Sequence, residues 1–132
     1  EDRARVEVAG LHGHGGAGHM VVSSGTEARG STALLGEHMT NPEWIGPYAQ
    51  LGSILKPYGS IELHGCRVGA RANGTRLLRG MANACGVPVS AALGSQYGGS
   101  QADRFEGTVA THCPRGEPLG AWAHRQLAAC RW

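Results

Sequence analysis

Two apolar stretches of this chain each end in a cluster of chemically reactive side chains, which limits the folds it can adopt. The first stretch, residues 6–11, leads into the sequence His-Gly-His-Gly-Gly at 12–16. The second, residues 61–63, leads into His-Gly-Cys at 64–66. In open α/β sheets, ligands bind in the crevice beyond the carboxyl ends of the strands. The sequence therefore predicts an α/β sheet that brings a histidine and a cysteine together at one edge.

The composition is that of an ordinary globular protein, and we expect a single domain over residues 1–132. The net charge is only +2 and the arginines are scattered, so we predict no nucleic-acid or membrane partner. Of the 12 basic residues only Lys56 is a lysine, a bias typical of GC-rich bacterial genomes. The chain opens at Glu1 rather than at a start methionine, so we expect a fragment of a longer protein.

Four cysteines are present, and no two of them form a C-x-x-C pair. A zinc ribbon or a thioredoxin motif is therefore not indicated. If Cys66 stays free, at most one disulfide remains, and Cys113 with Cys130 is one candidate pair. The alternative is that Cys85 and Cys130 are simply small buried apolar residues. These alternatives leave the redox compartment open.

Local patterns predict the elements of the fold. Strands are expected over 4–12, 19–23, 60–63, 87–92 and 104–111, with a hairpin joining the first two. A helix is expected to start at Asn41, to break at Gly46 and Pro47, and to end before Pro57 and Gly59. Further helices are expected over 75–85 and 119–130, and loops over 24–40, 69–74 and 93–103. The alternation of strands and helices favours a mostly parallel α/β sheet.

The order of these motifs resembles the caspase-like cysteine peptidases, in which a strand-end His-Gly and a neighbouring strand-end Cys form the catalytic pair. Here the His-Gly occurs at His12 and again at His14, and the Cys is Cys66. Residues 61–92 look most like the caspase-like domains of unknown function in large bacterial surface proteins. A more distant likeness is to the self-cleaving cysteine protease domains of bacterial toxins. The resemblance, over residues 5–92, implies a caspase-like open sheet flanked by helices that lacks its N-terminal strand–helix–strand unit.

Cys66 is the candidate nucleophile, because a thiolate can attack a carbonyl while an adjacent imidazole acts as base. We favour His14 as that base, since it begins a His-Gly-x-x-Gly element that matches the caspase-like subgroup. His12, which is nearer the apolar run, is the alternative base. The backbone N–H of Gly13 or Gly15, with that of Cys66, is a candidate donor to an oxyanion.

A substrate pocket is expected beside the candidate nucleophile. If its strand continues to Cys66, His64 shares a face with that cysteine and either lines the pocket or serves as another base. In a caspase-like arrangement, the segment after the strand at 87–92 borders the specificity pocket, and this predicts pocket roles for Ser90, Ser95 and Gln96. Tyr97 belongs to the same segment.

The resulting prediction is a cysteine endopeptidase, without metal or other cofactor, that cleaves a peptide or protein substrate or processes itself. The resemblance suggests a bacterial secreted, surface or effector protein. One alternative is a catalytically inactive binding or adhesion module that keeps the fold. Another is a zinc-dependent hydrolase, because His12, His14, His64 and Cys66 are ligand types that zinc accepts.

The strand that carries the candidate base histidines is apolar at Val6, Val8 and Leu11. An open apolar edge strand promotes association with other chains. We therefore predict that residues 4–11 do not form a bare edge. Their partner is either another segment of this chain, for example residues 104–111, or a second chain, which can be an N-terminal fragment or another copy.

Overall fold

A computed structural model describes residues 6–21, 33–35, 38–39, 41–97 and 104–129. Within these ranges the strands are β1 (Val6–His12), β2 (Gly15–Gly16), β3 (His19–Val21), β4 (Ala33–Leu35), β5 (Leu55–His64), β6 (Val89–Ala92) and β7 (Val109–His112). The helices are α1 (Pro42–Ile54), α2 (Arg71–Cys85) and α3 (Leu119–Ala129), with a 3₁₀ turn at Pro114–Gly116. In this part of the chain, no helix is long and apolar enough to cross a bilayer.

A four-stranded sheet with the order β1-β5-β6-β7 forms the centre of the fold. β1 and β6 run parallel to β5, and β7 runs antiparallel to β6. Parallel neighbours need long crossover connections, and here these contain α1 and α2. The mostly parallel α/β sheet predicted from the sequence is thus confirmed, and the carboxyl ends of β1, β5 and β6 meet at one edge.

A second, smaller antiparallel sheet has the order β2-β3-β4. β3 pairs with Gly15–Gly16 through Met20 and His19, and not with β1. The hairpin expected between the first two predicted strands is therefore wrong, because β3 pairs with β2 on one side and with β4 on the other. β4 lies inside the predicted 24–40 loop, most of which falls outside the described residues.

The core lies between the sheet and α2. Ile61 and Leu63 of β5 are fully buried, as are Val89 and Ala91 of β6. Strands that are buried in this way are typical of parallel sheets covered by helices. α2 presents one buried face, which consists of Gly74, Leu77, Leu78, Met81, Ala82 and Cys85. This periodicity confirms the helix predicted from residue 75 onward.

α1 continues through Gly46 and Pro47, so the predicted break there is wrong. The side chain of Asn41 caps the helix by accepting a hydrogen bond from the Glu43 N–H at 3.0 Å. A proline inside a helix removes one hydrogen bond and adds local strain. The packing of Tyr48 and Leu51 against the core offsets that cost.

β5 and α2 both begin earlier than predicted. β5 starts at Leu55 although Pro57 follows, because the pairing with β1 is irregular there: Val6 pairs with Leu55, whereas Val8 pairs with Ser60. Such an irregularity accommodates a proline, which has no N–H to donate to the ladder. α2 starts at Arg71, inside the predicted 69–74 loop, because its first turn packs directly onto the turn that precedes it.

β7 pairs with β6, at the edge of the sheet opposite β1. The prediction that residues 104–111 pair with β1 is therefore wrong. Among the described residues β5 alone pairs with β1, and Val8 is 53% exposed. Pairing of β1 with a second chain, or with another segment of this chain, stays a prediction.

α3 contacts β5 and buries Trp122. Ser90 lines a cavity beneath α3, whereas its neighbours Val89 and Ala91 belong to the core with α2, so α3 lies over the opposite face of the sheet. Cys66, Cys85 and Cys113 are free thiols, so the suggested disulfide between Cys113 and Cys130 is not formed. Cys130 itself lies outside the described residues.

Candidate active site

The parallel pairing of β1 with β5 places two histidines side by side at the carboxyl ends of these strands. His12 is the register partner of His64. Their rings stack with centroids 4.7 Å apart and planes within 7° of parallel. The ring of His64 also stacks on Phe105, at 4.3 Å and 10°. The His64 ring is therefore stacked against two nearly parallel neighbouring rings.

His64 is held by a carboxylate from its own strand. Its Nε2 lies 2.8 Å from Oε1 of Glu62, and the imidazole is almost fully buried. Residues two apart on a strand share a face, so the sequence contained the signal for this pair. The contribution of Phe105 had no such signal, because it comes from a segment remote in the chain. The Glu62 contact fixes the orientation of the His64 ring and occupies its Nε2.

Cys66 lies in a tight turn that follows β5. A Cβ at Gly65 would stand 2.7 Å from the carbonyl oxygen of Gly13, so glycine is what lets the ends of β1 and β5 approach. The turn is fastened to the end of β6, because the N–H of Arg67 donates to the Gly94 carbonyl at 2.9 Å. Arg67 itself has a φ of 56°, in the left-handed region that costs a non-glycine residue energy. Strain of this kind directly after the thiol is typical of functional turns.

The sulfur of Cys66 receives a hydrogen bond from the backbone N–H of Gln96, with 3.2 Å between nitrogen and sulfur. Cys66 is partly exposed, whereas Cys85 and Cys113 are buried. Burial raises the pKa of the Cys85 thiol to about 11. Burial, with a contribution from Glu117, also raises the pKa of Cys113. Among the described cysteines, Cys66 therefore has the surroundings best suited to reaction.

A cavity of about 250 Å³ opens at this edge of the sheet. Its lining consists of His12, Gly13, His14, His64, Gly65, Cys66, Gln96 and Tyr97. The structure thus brings together the predicted nucleophile, both candidate base histidines and His64. Gln96 and Tyr97, from the predicted pocket segment, belong to the same lining. His14 is exposed, and its carbonyl accepts a hydrogen bond from the Val21 N–H at 2.8 Å.

Two predicted site residues, Ser90 and Ser95, do not line this cavity, and a third, Gly13, lines it with its N–H already bonded. Ser90 shares a 2.6 Å hydrogen bond with Thr111 and lines a separate cavity beneath α3, because its side chain points to the opposite face of β6 from Ala91. Ser95 is exposed and is not among the residues that line the cavity at Cys66. The N–H of Gly13 donates to the His64 carbonyl at 3.0 Å, so it is not free to stabilise an oxyanion.

In the described part of the chain, no three His, Cys, Asp or Glu side chains are placed to hold a metal ion together. The zinc-hydrolase alternative therefore has no ligand set there.

The fold and the cavity together define an α/β protein with a mostly parallel four-stranded sheet and a thiol–imidazole cluster at its carboxyl edge. Comparison with models of protein families, with curated proteins and with solved structures gave no significant match.

Proposed function

We propose that this chain is a caspase-like cysteine peptidase domain that hydrolyses a peptide bond with Cys66 as nucleophile. One observation supports the proposal above the others: a partly exposed thiol shares a cavity with His12 and His14 at the ends of adjacent parallel strands. Nucleophilic catalysis needs a thiol, a base and room for a carbonyl between them. The resemblance to caspase-like domains adds a fold in which such strand ends carry the catalytic pair.

In the proposed reaction, the imidazole accepts the proton of the Cys66 thiol and the sulfur attacks the peptide carbonyl carbon. The C–N bond then breaks, and the imidazolium gives its proton to the departing amine. Water, deprotonated by the same imidazole, attacks the thioester and releases the acid and the free thiol. Because the N–H of Gly13 is already bonded, the oxyanion donors we propose are the N–H groups of Gly15 and Cys66.

The three cavity histidines have unequal freedom to act as the base. The Nε2 of His64 is engaged by Glu62, and its ring is packed between neighbours, which suits a supporting role. His14 is exposed on the cavity lining and can turn toward a bound substrate, so it stays our proposed base. His12 is the alternative, and stacking on His64 fixes the position of its ring.

The first prediction is that iodoacetamide alkylates Cys66 much faster than Cys85. The reason is access and ionisation: Cys66 lines a cavity, whereas burial raises the pKa of Cys85 to about 11 and keeps it protonated at neutral pH. We expect a rate ratio of at least about one hundred at pH 7.5, since each pKa unit above the ordinary value lowers the thiolate fraction tenfold. Mass spectrometry of tryptic peptides over a time course measures it, and equal rates would contradict it.

Activity is tested by exposing a mixture of diverse synthetic peptides to the wild-type chain and to the Cys66→Ala, His14→Ala and His12→Ala variants. We expect cleavage by the wild type, none by Cys66→Ala, and a greater loss for the histidine that acts as base. The Cys85→Ala variant is the matched control and should cleave normally. A reactive Cys66 with no cleavage, in cis or in trans, would instead support the binding or adhesion module.

A further inference from the structure

The side chain of Gln96 connects two segments that are separated in the chain. Its Nε2 donates to the carbonyls of Gly94, Ser95 and Glu106 at 3.1, 2.8 and 3.0 Å. Its Oε1 accepts a hydrogen bond from the Glu106 N–H at 2.9 Å. An amide has only two N–H donors, so one of them is shared between two of the three carbonyls, and both polar atoms of this side chain bind backbone.

The side chain of Glu106 in turn binds the backbone of the segment that contains Gln96. Its Oε2 accepts a hydrogen bond from the Tyr97 N–H at 2.7 Å. The two residues thus form a reciprocal clamp, in which each side chain holds the backbone around the other. We call Gln96 and Glu106 the loop clamp. It fixes the segment that follows β6, which contributes Gln96 and Tyr97 to the lining of the cavity.

The clamp determines where the backbone N–H of Gln96 points, and that group donates to Cys66 Sγ at 3.2 Å. The protonated Cys66 thiol donates in turn to the Gln96 carbonyl, with 3.6 Å between sulfur and oxygen, and this longer hydrogen bond is lost when the thiol ionises. A hydrogen bond donated to sulfur favours its anionic form, which is the attacking species. No side chain supplies this donor, so its direction depends on what holds the segment.

We propose that Gln96 is a positioning residue for the nucleophile: its amide side chain aligns its own backbone N–H with Cys66 Sγ and stabilises the thiolate. This inference rests on the proposed peptidase function and adds a residue to its machinery. A purely structural role would affect how tightly the segment is held without a specific effect on the ionisation of Cys66. The two roles are therefore separable by measurement.

The test compares Gln96→Met, Gln96→Glu and the control Ser95→Ala. Methionine matches the length of glutamine but makes none of the four hydrogen bonds, whereas glutamate loses the Nε2 donors and faces three carbonyl oxygens. We expect iodoacetamide to alkylate Cys66 about tenfold more slowly at pH 7 in both Gln96 variants, the effect of one hydrogen bond to a charged group. The pH profile of alkylation should shift to higher pH, and Ser95→Ala should match the wild type.

The slow alkylation of Cys85, measured in the same samples, reports whether each variant keeps its fold. Wild-type alkylation of Cys66 in a folded Gln96→Met or Gln96→Glu chain would overturn the inference. In peptide cleavage, we expect kcat to fall with less than a twofold change in KM. Because alkylation needs no substrate, this inference can fail while the peptidase proposal stands. Equally, loss of the peptidase proposal would leave the alkylation result in place.

Discussion

At the scale of single residues, the described thiols show how surroundings decide what a cysteine does. The Cys85 thiol donates a hydrogen bond to the Tyr48 carbonyl at 3.1 Å, between α1 and α2. Burial raises the pKa of both Cys85 and the Tyr48 phenol, and the proximity of Cys85 raises the latter further. Cys66, in contrast, lies in a turn where a cavity reaches it. The same residue type is thus structural at one position and available for chemistry at another.

The raised pKa of Cys85 leads to a prediction about stability at alkaline pH. In the unfolded chain a cysteine ionises near its ordinary value of 9.0, whereas in the fold the pKa of Cys85 is about 11. The protonated thiol therefore stabilises the fold below pH 9, and this contribution is lost as pH rises toward 11. We expect a fall of about 1 to 2 kcal/mol in the free energy of unfolding over that interval.

Urea denaturation at a series of pH values measures this decline. The Cys85→Ala variant is the control, because it keeps Tyr48 and removes the thiol, so its stability should fall less between pH 9 and 11. Identical slopes for the two chains would show that Cys85 does not contribute to the alkaline loss of stability.

Residue-level reasoning from the sequence identified the cavity residues that follow β1 and β5, because a strand end fixes where the next side chains go. It placed Cys66, His12, His14 and His64 near one another, and the structure does the same. It could not place Ser90, because the sequence of a strand that is covered on both faces does not show which side chains point to which face. Phe105 lay beyond prediction because its contact with His64 depends on tertiary packing.

At the scale of elements, α1 and α2 pack closely where Gly52 meets the backbone of Cys85. A Cβ at position 52 would overlap the Cys85 carbonyl, whereas nothing lies within 4 Å of a Cβ at Gly46 of the same helix. We therefore predict that Gly52→Ala lowers the free energy of unfolding by about 1 to 3 kcal/mol, as overpacking does. Gly46→Ala should raise it by about 0.5 to 1 kcal/mol, because alanine favours helix.

The two substitutions are chemically identical, so the opposite signs isolate the helix contact from propensity. Chemical denaturation of both variants, with wild type alongside, gives the comparison. A destabilised Gly46→Ala, or a neutral Gly52→Ala, would mean that α1 and α2 do not approach as described.

The elements show a similar division between what the sequence predicts and what it does not. α2 and the central strands were predicted because their apolar patterns are regular and their contacts agree with local preference. The continuity of α1 was missed because packing of Tyr48 and Leu51 overrides the proline signal. The early start of β5 was missed because the irregular pairing with β1 that accommodates Pro57 is a property of two strands, not of one.

At the scale of the whole molecule, we expect the two edge strands of the main sheet, β1 and β7, to differ in whether another chain pairs with them. We predict that a second chain pairs with β1, whose Val8 is exposed, and that the amides of residues 6–11 therefore exchange slowly with solvent. β7 at the opposite edge is the internal reference, since its outward amides should exchange freely. Hydrogen exchange by NMR, repeated on dilution, measures both edges and distinguishes another copy from a tightly bound fragment.

Rapid exchange at alternate positions of β1, at a rate like that of β7 and at every protein concentration, would show that β1 is a bare edge. Sedimentation velocity on the same samples supplies the mass of any assembly. A monomer with protected β1 amides would point to a segment of the chain outside the described residues as the partner.

The parallel pairing of β1 with β5 also determines when, during folding, His12 of β1 and Cys66 come together. His12 and Cys66 come from distant parts of the chain, and closing so long a loop costs entropy that local contacts do not repay. β1 therefore cannot pair with β5 until the crossover through α1 has been synthesised, and non-local contacts of this kind form slowly. During synthesis His12 and His14 leave the ribosome long before Cys66 does. If the proposed function holds, a nascent or half-folded chain has no paired thiol and imidazole, and the proposed catalytic pair forms only as folding finishes.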